Sequence, residues 1–298
     1  MSQVTRRDIA LLLVQLPLVA SLREDASAET AASISRRDLE GSFDSLVEQL
    51  AAAPSAESGI RRDQTDRIQE GAALPSDGLF LRALPSLTPI SKRATALIIS
   101  SEVSGSSQYM QRFHRPTWPG GSSGITIGIG YDLGFVRIKD FHGDWGRYLG
   151  PGDVRVLETC CGLQADRAKR ALHNIDRVDI PWPVASRQYE ERIQPRRVGE
   201  TETVLKNCNL LSPDSLGALV SLVYNRGAAG FLVPEAKDSA GRFIEMRKIR
   251  AMMEVKRFSD IPAQLRAMRR LWQKTPGGQG LVLRRELEAQ LFSLGLAA

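Results

Sequence analysis

Glu102 and Asp132 stand thirty positions apart with no other aspartate or glutamate between them. Hydrolysis of a glycosidic bond needs two carboxyl groups in different states. One delivers a proton to the leaving oxygen, and the other handles water or the sugar. Glu102 follows the apolar residues Ala94, Leu97, Ile98 and Ile99. A carboxyl at the end of an apolar helix is shielded from water, which favours the protonated form an acid needs. Thr126, six residues before Asp132, offers a hydroxyl that can hold a water molecule jointly with the aspartate. Taken alone, two acids at such a separation are more often solvated surface charges.

These side chains need a helix, a hairpin and a scaffold to bring them together. Apolar spacing predicts a helix over residues 92–102, followed by a stretch rich in Ser, Gly and Pro. Ile125 to Tyr131 then alternates β-branched residues with glycine, the pattern of a strand and hairpin with room for close backbone approach. Downstream, helical periodicity covers about 153–175, 184–207, 214–225, 236–257, 260–273 and 280–294. The expectation is an α+β fold, mostly helical, with a small antiparallel sheet beside the site.

The preceding residues read differently. Ser35 can cap a helix that places Leu39, Phe43, Leu46, Val47 and Leu50 on one face. Around it, Ala51–Ser58 and Leu74–Pro89 read as linkers. Residues 21–90 look too poor in apolar side chains for a core of their own, and residues 1–85 are read as lying outside the domain. They are expected to form an N-terminal tail, a docking segment or a delivery segment ahead of one domain over 86–298. Within the first thirty residues, Thr5-Arg6-Arg7-Asp8, the apolar run Ile9 to Ala20 and Ala26-Ser27-Ala28 outline a signal peptide with twin-arginine character. An amphipathic helix retained on the mature protein is the other open reading. The run is too short to span a bilayer, and no stable membrane insertion is expected.

Three stretches together resemble the phage-type lysozymes. Thr126-Ile-Gly-Ile-Gly130, preceded by a helix ending in Glu102 and by Tyr109 seven residues after it, is similar to that family's active-site hairpin. Ala218-Leu-Val-Ser-Leu-Val-Tyr-Asn225-Arg-Gly227 is similar to its buried helix, and Gly280 to Phe292 to its closing helix. The family commonly carries a carboxylate two residues after the tyrosine, where this chain has Gln111. In that respect, and in its longer loop, the chain resembles more closely the muramidase domain of the bacteriocin pesticin.

The resemblance implies a lysozyme-like domain over 86–298. It would cleave the β-1,4 bond between N-acetylmuramic acid and N-acetylglucosamine in peptidoglycan. Glu102 would be the general acid, and Asp132 with Thr126 would orient the attacking water, which is an inverting mechanism. Tyr109 and Trp118 could line a sugar-binding groove, or Trp118 could be a plain loop anchor. Asn225 could contact substrate or cap its helix. Arg284 or Arg285 could pair with Glu102, or form a solvated pair on a helix. A domain of this class would act at the bacterial cell wall or periplasm, as an endolysin, a bacteriocin or a delivered antibacterial effector. An immunity protein is a possible partner.

Composition narrows the alternatives. Residues 1–90 carry 9 arginines against 13 acidic residues, and residues 91–298 carry 31 basic against 21 acidic, a balance of +10. A basic globular part suits a polyanionic partner, and cell walls are anionic. No zinc-finger, helix-turn-helix or arginine–aromatic motif supports a nucleic-acid partner. Three cysteines, two of them vicinal, and three dispersed histidines suggest neither a disulfide framework nor a metal site, and no cofactor is expected. Gln111 motivates one alternative, a catalytically inactive peptidoglycan-binding protein.

Overall fold

A computed structural model of the chain describes residues 36–52, 83–121 and 123–297. The candidate export segment and most of the linkers read from the sequence lie outside the described residues. Eleven helices and one hairpin carry the argument. They are α1 (Arg36–Ala52), α2 (Lys92–Val103), β1 (Thr126–Ile127), β2 (Tyr131–Asp132), α3 (Ile138–Trp145), α4 (Pro151–Glu158), α5 (Ala165–Leu172), α6 (Trp182–Gln188), α7 (Gln194–Val204), α8 (Pro213–Arg226), α9 (Ile244–Glu254), α10 (Ile261–Ala267) and α11 (Gln279–Leu296). The protein is thus mostly helical with a two-stranded antiparallel sheet.

The centre of the fold is α8. Its residues Asp214 to Arg226 are all buried, as expected of a helix that is apolar nearly all round. Pro213 opens it, and the Ser212 side chain caps it by accepting from the Ser215 N–H at 3.2 Å. Helices α2, α7 and α11 pack around it. A Cβ on Gly217 would stand 2.2 Å from the Ala94 Cβ, so α2 can lie this close to α8 only because that position is glycine. Helix α2 begins at the Ser91 cap and ends where Ser104 turns into the left-handed region at φ 57°, one residue beyond the predicted end.

Two of the predicted long helices are divided. The 153–175 segment breaks between α4 and α5, where Gly162 and Ala165 both adopt positive φ. The 236–257 segment becomes helical only from Ile244, after a short 3-10 turn over Glu235–Lys237. Conversely, 184–207 is nearly continuous, because a π turn over Tyr189–Ile193 joins α6 to α7. Periodicity registers which face is apolar and is blind to such changes in winding.

Helix α1 falls within residues 1–85, the expected tail, docking or delivery segment. It shares the core with the rest: Phe43, Val47 and Leu50 are buried, and the helix packs against α2 and α11. Arg93 on α2 adds ion pairs to Glu40 and Asp44 at 3.2 Å each. The compact unit accordingly runs from Arg36 to Ala298. Composition averaged over residues 21–90 hides one helix whose apolar stripe is completed by partners far along the chain. Among the described residues no helix is long and apolar enough to cross a membrane.

Candidate active site

Glu102 lies in the last turn of α2 and is only 2% exposed. Its Oε1 accepts from Arg284 Nη1 at 2.9 Å, so α11 supplies the partner of the α2 carboxylate. Arg284 is held by more than Glu102. Its Nη2 donates to the Ser221 carbonyl oxygen at 3.0 Å, and its Nε faces Glu288 Oε1 at 3.3 Å. The neighbouring Arg285 donates from Nη2 to the same Glu288 oxygen at 2.7 Å, and the Ser221 hydroxyl donates to it at 2.7 Å. Both arginines are therefore buried, with Arg284 on Glu102 and Arg285 on Glu288, and neither belongs to a solvated face.

The hairpin stands against this cluster. Thr126 pairs with Asp132 and Ile127 with Tyr131, and the turn between them uses Gly128 at φ 55° and Gly130 at φ 70°, angles that glycine adopts without strain. A Cβ on Gly130 would lie 2.8 Å from Glu102 Oε2, so the turn approaches the buried carboxylate directly. From α8, the Tyr224 hydroxyl donates to the Ile129 carbonyl oxygen at 2.5 Å and pins the turn. From α3 and α7, the buried Asp144 accepts from the Tyr131 hydroxyl at 2.8 Å and from Arg196 Nη1 at 2.8 Å. Burial, with the Asp144 charge next, holds the Tyr131 phenol far above its usual range.

Asp132 and Thr126 face each other across the ladder one step beyond that turn. Asp132 Oδ1 accepts from the Gly134 N–H at 2.8 Å and Oδ2 from the Gly124 N–H at 3.3 Å, an arrangement suited to an ionised carboxylate. The loop before β1 is tied to the same strand, because Thr117 and Thr126 exchange backbone hydrogen bonds at 3.0 and 2.8 Å. Trp118 follows on this loop. It is half-buried, its indole N–H donates to the Ser123 carbonyl at 3.1 Å, and Lys169 Nζ sits 5.4 Å from its ring centroid.

Tyr109 departs from the groove-lining expectation. It is fully buried, its hydroxyl donates to the Ile180 carbonyl at 2.8 Å, and its ring meets Trp182 edge-on at 5.5 Å. It anchors the π turn Tyr109–Phe113 and offers no open face for stacking; Gln111 on the same turn is exposed. Asn225 lies one turn after Ser221 on the same face of α8. It is 1% exposed, and neither its Oδ1 nor its Nδ2 has a hydrogen-bond partner. A buried amide without partners marks a place for a water molecule or a ligand group.

Sequence reasoning missed Glu288, Ser221, Asp144 and Arg196. The i+3 and i+4 spacing of Glu288 from Arg285 and Arg284 was a usable signal once 280–294 was read as a helix. The Tyr131–Asp144–Arg196 contact had none, since Arg196 lies 52 residues after Asp144. Among the described residues no group of three or more His, Cys, Asp or Glu could hold a metal ion.

No protein-family model matches the chain, and no curated protein matches it.

Proposed function

We propose that the chain is a lysozyme-like peptidoglycan hydrolase, a muramidase cleaving the β-1,4 bond between N-acetylmuramic acid and N-acetylglucosamine. One observation carries this reading. The buried Glu102 abuts the turn of a hairpin whose next ladder step sets Asp132 opposite Thr126. Inversion requires about 6.5–9.5 Å between the two carboxyl groups, room for one water molecule, and the reading assigns that water to the space between Glu102 and Asp132.

In this mechanism Glu102 protonates the leaving oxygen, while Asp132 and the Thr126 hydroxyl hold the water that attacks the anomeric carbon from the opposite face. Trp118 contributes a sugar-stacking surface, and the unpaired Asn225 amide contributes hydrogen bonds to substrate. The resemblance to phage-type lysozymes and to the pesticin muramidase domain supports the same assignment of roles. It also favours a role at the bacterial wall as a delivered effector or toxin, or as an endolysin, with an immunity protein as partner in the first case.

Purified peptidoglycan digested by the full chain and analysed by mass spectrometry tests the reading. Muropeptides with reducing muramic acid ends are expected from the wild type and are absent with Glu102→Gln. Asp132 also favours a second reading. Both of its oxygens accept backbone N–H groups, as a purely structural cap would, and this fits a wall-binding protein without catalysis. Wild type that pellets with peptidoglycan but releases no reducing ends would establish that reading instead.

A further inference from the structure

Four ionisable side chains, Glu102, Arg284, Arg285 and Glu288, form one buried cluster and are each no more than 2% exposed. Charged arginine and glutamate are almost never found at such depth unless paired, and here they balance as two cations against two anions. Glu288 is the junction. Its Oε1 accepts from Arg285 Nη2 and from the Ser221 hydroxyl, each at 2.7 Å, and lies 3.3 Å from Arg284 Nε. Arg284 therefore bridges two carboxylates, with Nη1 on Glu102 and Nε on Glu288.

We infer that Glu288 is a positioning residue for Glu102 that acts through Arg284. It fixes the guanidinium in place and takes a share of its positive charge away from the acid. The inference rests on Glu102 being the general acid. A guanidinium directed wholly at Glu102 would hold that carboxyl ionised, which an acid catalyst cannot tolerate. With Glu288 on the other edge, Arg284 can orient Glu102 and still allow it to carry a proton. Arg285 sets the balance from the far side of Glu288.

Other ionisable groups also face Glu102. Tyr189, on the π turn between α6 and α7, is fully buried and within electrostatic reach of Glu102, Arg284, Arg197 and Tyr224. Its phenol is held protonated by burial first and by Tyr224 and Glu102 next. Tyr224 donates its proton to the Ile129 carbonyl, and Arg197 is cationic. Asp132 belongs to the hairpin, beyond Gly130.

The test is a titration of the full chain carrying carbon-13 in its glutamate carboxyls, with the Glu102 signal assigned by its loss in Glu102→Gln. Glu288→Gln keeps the shape and removes the charge. The pH at which Glu102 takes up its proton is expected to fall by about one unit, a tenfold loss of proton affinity. Arg285→Gln is expected to move it upward, and the double variant back toward wild type. A merely structural role gives no such pattern of signs.

Should Glu288→Gln alone fail to fold, the double variant compared with Arg285→Gln makes the same comparison in a background that lacks Arg285. An unmoved Glu102 signal, or shifts of the same sign in both single variants, overturns the inference. Wall digestion run in parallel keeps the two questions apart. Absence of hydrolysis by wild type defeats the muramidase reading, whereas the titration alone decides whether Glu288 governs Glu102.

Discussion

Gly130 and Glu102 approach so closely that a methyl group on the glycine would stand 2.8 Å from Glu102 Oε2. Gly130→Ala would meet that contact and would also force an L-residue to φ 70°, a strain of about 1–3 kcal/mol. Either the turn or the Glu102 carboxylate must give way. Wall hydrolysis is expected to fall about 100-fold, the scale associated with ångström misplacement, with a modest loss of melting temperature. Activity within threefold of wild type would show that the turn does not position the site.

Arg284→Ala should destabilise the protein by about 3–5 kcal/mol, the cost of leaving buried charges without their partner. Glu102 and Glu288 would both lose the group that bridges them. Urea denaturation followed by circular dichroism checks this, and a change below about 1 kcal/mol would contradict the burial of the cluster.

Phe43→Ala in α1 should cost about 3–5 kcal/mol, the range for emptying a buried aromatic site. The side chain is 1% exposed and belongs to the common core. A near-zero effect in the same denaturation experiment would mean that α1 does not dock on α2 and α11.

Tyr131→Phe removes the hydroxyl donated to Asp144 while leaving Asp144 paired with Arg196. A loss of about 1.5 kcal/mol is expected for a hydrogen bond to a charged acceptor. Because Tyr131 precedes Asp132 on β2, hydrolysis should drop along with stability. Unchanged thermal unfolding would show that this hydroxyl does not anchor the strand.

Stability should decline on the alkaline side. Burial pushes the Cys208 thiol up to about 12, with a smaller contribution from Glu202, and the Cys161 thiol up to about 11, helped by Cys160 and Glu158. Burial also raises the Tyr109, Tyr131 and Tyr189 phenols. These groups keep protons in the folded chain that the unfolded chain releases, the thiols near pH 8.5 and the phenols near pH 10, about their ordinary values. The stabilisation is thus complete below about pH 8 and is lost as pH rises through roughly 8.5 to 12. Urea midpoints at pH 7.5, 9 and 10.5 should fall in that order, and Cys208→Ala should flatten the trend. Midpoints independent of pH would refute it.

Much of this arrangement was legible in the residues. Apolar spacing located α2 to within one residue, because its buried stripe and its Ser91 cap are local features. The glycine-rich hairpin was equally readable, since positive φ at Gly128 and Gly130 is a local demand. What escaped notice depends on distant parts of the chain. Tyr109 reads as a surface aromatic until Ile180 and Trp182 close over it. The stripe of α1 reads as a docking segment until α2 and α11 cover it, and nothing local to Asp144 announces the Arg196 that arrives from α7.

The pairing of Glu102 with Arg284 joins positions 182 residues apart, and α1 docks on the same closing helix. During synthesis, therefore, the acid cannot find its arginine, nor α1 complete its packing, until α11 has left the ribosome. Contacts of such long range form late and slowly. Until Arg284 emerges, the nascent chain carries this constellation unassembled, and any product that stops before Arg284 lacks the cation that holds Glu102 in place. Assembly of the site thereby doubles as a check that synthesis has passed Arg284.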